Sequence, residues 1–126
     1  MPPAEAHIVV VEDDPQYRRL VVRMLEAAGY RATATDGFTA ALGAIEGAAP
    51  VDLLLADIGM PAGSPHGLSI GKVAQARKPG LKVLYMSGSD PSGYLFAQGE
   101  SVLRKPFGSA ELVAAIQAAQ IGRAHV

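Results

Sequence analysis

The chain of 126 residues contains no cysteine and no tryptophan, and its formal net charge is only −1 at pH 7. Without cysteine there is no disulfide, no thiol nucleophile and no zinc–thiolate site. A net charge this close to zero gives no general electrostatic basis for binding nucleic acid or an anionic membrane. No apolar run is long enough to cross a bilayer, and the first residues lack the basic and apolar regions of a signal peptide. We therefore expect a cytoplasmic protein.

The composition and the length indicate one globular domain. Hydrophobic residues make up 49% of the chain, which is typical of a folded protein and not of a disordered one. The length allows one substantial core and is too short for two. We predict a lead-in over residues 1–6, one domain over residues 7–121 and a short tail over residues 122–126.

Short apolar runs bounded by turn residues predict strands that are buried on both faces. The clearest run extends from Val51 to Ala56 and delivers a carboxylate, Asp57, before Gly59 and Pro61 interrupt the regular backbone. A β-branched run from His7 to Val11 is equally apolar. Further strands are predicted over residues 30–35 (weaker, near a sheet edge), 81–87 and 101–104.

Helical patterns separate these strands. Asp14 before Pro15 predicts a helix start, with Asp14 as the N-cap, and Gly29 ends that helix. Ser109 is predicted to cap the last helix. The alternation of strands and helices predicts an α/β fold, a doubly wound parallel sheet with helices on both faces. The other helices are predicted around residues 40–46 and 68–78, and the face of the first helix that points to the core comprises Tyr17, Leu20, Val21, Met24, Leu25 and Ala28.

Five polar side chains follow the predicted strands, at the edge where parallel sheets bind ligands. They are Glu12, Asp13, Asp57, Ser87 and Lys105. Three carboxylates in a partly desolvated site repel each other and therefore imply a cation. Oxygen ligands without histidine or cysteine suit Mg²⁺.

The backbone carbonyl of Gly59 can add a further metal ligand, because glycine allows close approach. A carboxylate, a divalent cation, a lysine and a hydroxyl are the groups that hold a phosphoryl group during its transfer.

Each of these residues also has an ordinary structural explanation. Asp57 taken alone fits a turn at the end of a strand, Lys105 a solvated lysine and Ser87 a strand-end hydroxyl. Asp14 is fully explained as a helix cap, and His66 as a solvent-facing loop residue. The functional interpretation depends on the site residues all lying at one edge of the sheet, in the right order along the chain.

The same residues resemble the motifs of the response regulator receiver domain of two-component systems. The resemblance extends over nearly the whole chain and implies a five-stranded sheet in the order 2-1-3-4-5. The matching motifs, in family order, are Ile8-Val9-Val10-Val11-Glu12-Asp13-Asp14, Asp57-Ile58-Gly59-Met60-Pro61, Val83-Leu84-Tyr85-Met86-Ser87-Gly88 and Leu103-Arg104-Lys105-Pro106-Phe107.

The resemblance also implies a role for each residue of the site. Asp57 accepts a phosphoryl group from a sensor histidine kinase or a phosphotransfer protein, Lys105 pairs with the phosphoryl oxygens, and Ser87 carries the signal outward. Mg²⁺ is bound by Asp13, Asp57 and the Gly59 carbonyl, with Glu12 reaching it through water. The Lys105–Pro106 peptide is expected to be cis. The expected partners are this phosphoryl donor and an unknown downstream protein, with no nucleic acid and no membrane, and the chain is expected to be a monomer or a weak dimer.

Three features depart from the usual pattern. Residues 62–66 lengthen the loop before Gly67, and the segment between Ser87 and Lys105 is short by roughly one helical turn, so that a short or irregular fourth helix is expected there. Val102 occupies the position of an aromatic residue that swings with the hydroxyl in relatives. In the first two features this chain is most similar to receiver domains that are attached to hybrid histidine kinases.

Two alternatives remain beside the phospho-accepting receiver. A docking module of the same fold would signal without phosphorylation, and both Val102 and the shortened segment before Lys105 favour it. A phosphohydrolase would need a second acid near Asp57, where Gly59 stands instead. We therefore expect no enzymatic activity beyond phosphotransfer to Asp57 and its dephosphorylation. With Gly59 and Gly88 beside the acceptor, we expect a short-lived phosphorylated state.

Overall fold

The computed structural model describes residues 6–59, 67–88 and 101–121. Within these residues five strands alternate with helices. The strands are β1 (His7–Val11), β2 (Arg31–Thr35), β3 (Leu53–Asp57), β4 (Lys82–Ser87) and β5 (Ser101–Arg104). The helices are α1 (Pro15–Ala27), α2 (Phe38–Glu46), α3 (Gly67–Arg77) and α4 (Ser109–Ile121).

All five strands are parallel and form one sheet in the order β2-β1-β3-β4-β5. The strand order, the doubly wound architecture and the edge position of β2 are thus confirmed. In the pairing of β1 with β3, Val11 lies opposite Ala56. The residues that follow each of these two, Glu12 and Asp57, therefore emerge next to each other at the carboxyl edge of the sheet.

Side chains of the central strands alternate between two hydrophobic cores, one on each face of the sheet. Ile8 and Val10 pack with α1 and α4, whereas Val9 and Val11 pack with α2 and α3. Every residue of β1 and β3 is buried, as the uninterrupted apolar runs predicted. The helices contribute Val21, Leu25, Leu112 and Ile116 to one core and Ala41, Ile45, Ile70 and Ala74 to the other.

Helix α1 begins as its sequence predicts. The Asp14 side chain accepts a hydrogen bond from the backbone N–H of Gln16 at 3.0 Å, and Pro15 is the first helical residue. Gly29 adopts a φ of 94°, a left-handed conformation that glycine allows just beyond a helix end. Leu20 differs from its prediction, since it is 42% exposed. Val21 and Leu25 form the buried stripe, and Leu20 lies about 100° around the helix from Val21.

The N-terminus of α4 is capped one residue earlier than predicted. Ser109 is already helical, and the Gly108 carbonyl accepts the first helical hydrogen bond, from Leu112 N–H, at 3.0 Å. The Glu111 carboxylate accepts a hydrogen bond from Gly108 N–H at 2.8 Å. The prediction of Ser109 as the cap was therefore wrong, because Glu111 satisfies the cap backbone from the third helical position.

Some sequence predictions fall on residues outside the described ranges. The lengthened loop, the short or irregular fourth helix, His66 and most of the lead-in and tail are among them, and they stay predictions, as do the domain boundaries. The Lys105–Pro106 peptide is cis, which confirms that expectation. Among the described residues, no helix has the length and apolarity needed to cross a membrane.

Candidate functional site

Three carboxylates meet at the carboxyl edge of the sheet. Glu12 and Asp13 follow β1, and Asp57 is the last residue of β3. Each side chain offers one oxygen, and these oxygens all lie within 4.8 Å of one another. Glu12 and Asp57 are only 1% and 3% exposed, whereas Asp13 is exposed. The site therefore combines two desolvated acids with one that faces solvent.

Lys105 brings a positive charge to these acids from the far end of β5. Its backbone N–H donates to the Ser87 carbonyl at 2.8 Å, which fixes the chain beside β4. Its Nζ lies 2.5 Å from Glu12 Oε1 and 3.5 Å from Asp57 Oδ2. One ammonium group thus bridges two buried carboxylates that lie 45 positions apart in sequence, a contact that only the folded sheet creates.

Burial and neighbouring charges shift the pKa values of both Glu12 and Lys105. Burial raises the pKa of Glu12 from 4.5 to about 7, and the hydrogen bond from Lys105 lowers it only in part. Burial alone would lower the pKa of Lys105, but the Glu12 hydrogen bond and the charge of Asp57 outweigh it, so that the pKa is raised. Lys105 therefore stays charged, and Glu12 is able to exchange a proton near neutral pH.

Backbone groups hold the carboxylates in place. Asp57 Oδ1 accepts a hydrogen bond from Gly59 N–H at 3.0 Å, and Glu12 Oε2 accepts one from Asp14 N–H at 3.1 Å. The Arg18 guanidinium donates to the Glu12 carbonyl at 2.8 Å. A Cβ added to Gly59 would lie 3.5 Å from Asp57 Oδ1, an ordinary contact. Space alone therefore does not demand glycine here, and a metal-binding role for its carbonyl stays a prediction.

Ser87 lies on the same edge of the sheet. It ends β4 and is 1% exposed, and the preceding Met86 pairs with Asp57 across the two strands. The Met86 carbonyl accepts a hydrogen bond from Ile58 N–H at 2.9 Å. Ser87 is thus one residue along β4 from the strand position opposite Asp57, at the carboxyl end of its strand, where the sequence predicted it.

The sequence matches the response regulator receiver domain over residues 8–117. The chain belongs to this family. The receiver protein CpdR of Brucella abortus is 33% identical over 115 residues, which cover 87% of this chain and 92% of CpdR. The transcriptional regulator NtrC of Salmonella typhimurium is 35% identical over 114 residues, but these cover only 24% of NtrC. A receiver protein of Sinorhizobium medicae has the same fold, with a TM-score of 0.84 at 24% identity, over 94% of this chain and 97% of its own.

The receiver domain contains two site residues whose position sequence reasoning did not identify, Tyr17 and Phe107. Lys105 Nζ lies 4.5 Å from the centroid of the Tyr17 ring. The Tyr17 and Phe107 rings pack edge to face, with centroids 5.7 Å apart and planes at 86°. The helical spacing predicts Tyr17 on the core side of α1, and its side chain does pack against that core. Its place in the first turn of α1, which begins shortly after Glu12 and Asp13, was the signal that it could lie near the acids.

The donor set of the receiver domain fits a magnesium ion. Three carboxylate oxygens within 4.8 Å of one another can converge on a single cation, and one exposed member leaves the site open to solvent, as suits an ion that keeps several water ligands. The described residues of the site offer neither a thiolate nor an imidazole, which disfavours zinc.

Proposed function

We propose that this receiver domain of two-component signalling accepts a phosphoryl group on Asp57. The observation that supports this most is the position of Asp57. It is a buried carboxylate at the end of a central strand, 3.5 Å from a lysine ammonium and within 4.8 Å of two further acids. A buried acid in such a place contributes little to stability, whereas it is well placed to react with a phosphoryl group.

In the proposed reaction an Asp57 oxygen forms a bond to phosphorus while the bond from phosphorus to a histidine nitrogen of the donor breaks. The departing imidazole keeps the bonding electron pair. A carboxylate is a modest nucleophile, so the rate must come from alignment and from neutralisation of charge. The Gly59 N–H fixes one Asp57 oxygen at 3.0 Å, and Lys105 supplies a positive charge beside the other.

The residues that would hold Mg²⁺ are Glu12, Asp13 and Asp57, together with the Gly59 carbonyl. The ion, when bound, neutralises negative charge on the phosphoryl oxygens. In the structure Lys105 pairs with Glu12 and lies near Asp57, so that the acids are partly neutralised before any metal arrives. Lys105 would pair with the phosphoryl group once it is on Asp57.

The phosphorylated aspartate would add a dianion and several strong acceptors where a single carboxylate stood. Ser87 and Lys105 are the side chains we expect to respond, and their movement would bias the surface of β5 and α4 between two packings. The donor would be a histidine kinase or a phosphotransfer protein in the cytoplasm. The chain would turn over no other substrate.

The test is incubation of the wild-type chain with Mg²⁺ and a small acyl phosphate, followed by intact mass measurement. We expect the mass of one added phosphoryl group, which Asp57→Asn or removal of Mg²⁺ abolishes. Asp36→Asn is the matched control, because Asp36 is an exposed acid just after β2 at the same edge of the sheet. Failure of the wild-type chain to gain mass would refute the proposal.

A second function, docking without phosphorylation, is favoured by Val102. This residue of β5 is partly buried against the core, and it has no aromatic ring that could move together with the Ser87 hydroxyl. In that case Asp57→Asn would leave the affinity for a kinase or phosphotransfer partner unchanged, and a phosphoryl group would not alter it. A binding measurement with phosphorylated and unphosphorylated chain separates the two functions.

A further inference from the structure

Tyr17 stands at the junction between helix α1 and the site. It lies in the first turn of the helix, which begins shortly after the acidic residues that follow β1. Its ring is partly buried, with Lys105 Nζ 4.5 Å from the centroid. This distance is within the range in which an ammonium group is attracted to an aromatic face.

The ring completes the surroundings of a largely buried cation. The Lys105 side chain is 17% exposed, so that few water molecules can reach it, and the contacts that replace them decide where the ammonium group lies. Glu12 holds Nζ from one side and Asp57 from another. The ring of Tyr17 adds a contact from α1 and limits the directions in which the flexible lysine chain can turn.

The ring itself is held firmly. Phe107 follows the cis Lys105–Pro106 peptide by one residue and packs edge to face against Tyr17 at 5.7 Å. Phe107 is 6% exposed and belongs to the core formed with α1 and α4. The segment that carries Lys105 therefore also fixes the ring that Lys105 contacts.

The hydroxyl of Tyr17 does not explain its presence. This oxygen is buried and faces the backbone of Phe107, but it makes no hydrogen bond of good geometry within the described residues. A buried hydroxyl without a partner is unfavourable, so that phenylalanine should serve as well for packing. The ring, with its negative face toward Lys105, is the part of the side chain that contributes.

We propose that Tyr17 is a positioning residue for phosphorylation: its ring holds the Lys105 ammonium group at the acceptor Asp57. This inference rests on the proposed function, since Tyr17 acts through Lys105 and touches no reacting atom. Helix α1 thus supplies an aromatic contact to Lys105.

The experiment compares wild type with Tyr17→Phe, which keeps the ring, and Tyr17→Leu, which removes it. Rate constants for phosphorylation by a small acyl phosphate are measured at saturating Mg²⁺. We expect Tyr17→Leu to lower the rate constant about fivefold, in line with a partly desolvated contact between cation and ring. Tyr17→Phe keeps the ring and should react at the wild-type rate constant. Tyr30→Leu is the matched control. Tyr30 is a buried tyrosine of the same core, and among the described residues the ring that Lys105 contacts is that of Tyr17.

A second readout distinguishes positioning from packing. In wild type and in Tyr17→Phe, the ring current should shift the ε-methylene protons of Lys105 upfield in NMR spectra, whereas Tyr17→Leu should return them to ordinary values. Tyr30→Leu should lower stability without changing this shift. The shift is measured on unmodified wild-type protein, so this test remains available if Tyr17→Leu folds poorly. Unshifted Lys105 protons in wild type would overturn the inference.

The two proposals fail in different ways. A wild-type chain that gains no phosphoryl group refutes the proposed function, whatever the NMR shift of Lys105. A wild-type chain that is phosphorylated, with Tyr17→Leu reacting at the same rate constant, refutes the role of Tyr17 and leaves the proposed function intact.

Discussion

The buried carboxylate of Glu12 should make the stability of the metal-free protein depend on pH. Its pKa is raised from 4.5 to about 7 by burial, which the hydrogen bond from Lys105 offsets only in part. Between these two values the folded chain holds a proton that the unfolded chain has released. The free energy of unfolding therefore falls as the pH rises through this interval.

The size of the effect follows from the two pKa values. The difference between 4.5 and about 7 corresponds to about 3 kcal/mol in full, at about 1.4 kcal/mol for each tenfold change in proton affinity. Most of this, about 2 kcal/mol, should be lost between about pH 5 and about pH 8. Glu12→Gln cannot titrate, so this part of the pH dependence should be absent from the variant.

The assay is denaturant unfolding of both proteins across this pH interval in the presence of a chelator. The quantity of interest is the difference between the two pH profiles, because the other titrating groups are common to both proteins. Glu26→Gln makes the same chemical change at an exposed position of α1 and should leave the wild-type profile unaltered. Parallel profiles for wild type and Glu12→Gln would refute the assignment of the raised pKa to Glu12.

Three further predictions concern the site and its frame. Lys105→Met should slow phosphorylation of Asp57 by about a hundredfold, since a charged donor at the transferring group is lost; intact mass against time measures this, and an unchanged rate would contradict it. Gly59 places no side chain beside Asp57 Oδ1, and Gly88 adds none after Ser87 at the end of β4, so the phosphorylated state should decay within minutes to an hour; decay over many hours would show that water does not reach the acyl phosphate readily. Asp14→Ala removes the hydrogen bond to Gln16 N–H and should lower the free energy of unfolding by about 1 kcal/mol; an unchanged denaturation midpoint would show that the cap contributes nothing.

The architecture could be predicted because buried strands and their connections leave a local record in the sequence. The runs over residues 8–11 and 53–56 are apolar throughout because both faces of the sheet are covered. The candidate site followed from them, since parallel strands deliver their last residues to one edge. Asp57 and Lys105 could therefore be placed near each other without any knowledge of distances.

What could not be predicted depends on side-chain packing between distant elements. The sequence does not show that Lys105 pairs with Glu12 at 2.5 Å and lies over Tyr17. The first contact depends on how the turn after β5 reaches the end of β1, and the second on how α1 is seated against that turn. The cap of α4 was misplaced by one residue for a related reason. Glu111 and Ser109 are both plausible cap partners, and only the backbone geometry of Gly108 decides between them.

The most direct test of the central claim is a crystal structure with Mg²⁺ and a beryllofluoride adduct on Asp57. We predict one ion bound by oxygens of Asp13 and Asp57, with Glu12 and the Gly59 carbonyl completing the site, and Lys105 Nζ in contact with a fluorine atom. An empty crevice at saturating Mg²⁺, or a Lys105 side chain turned away into solvent, would contradict the claim that these residues make Asp57 a phosphoryl acceptor.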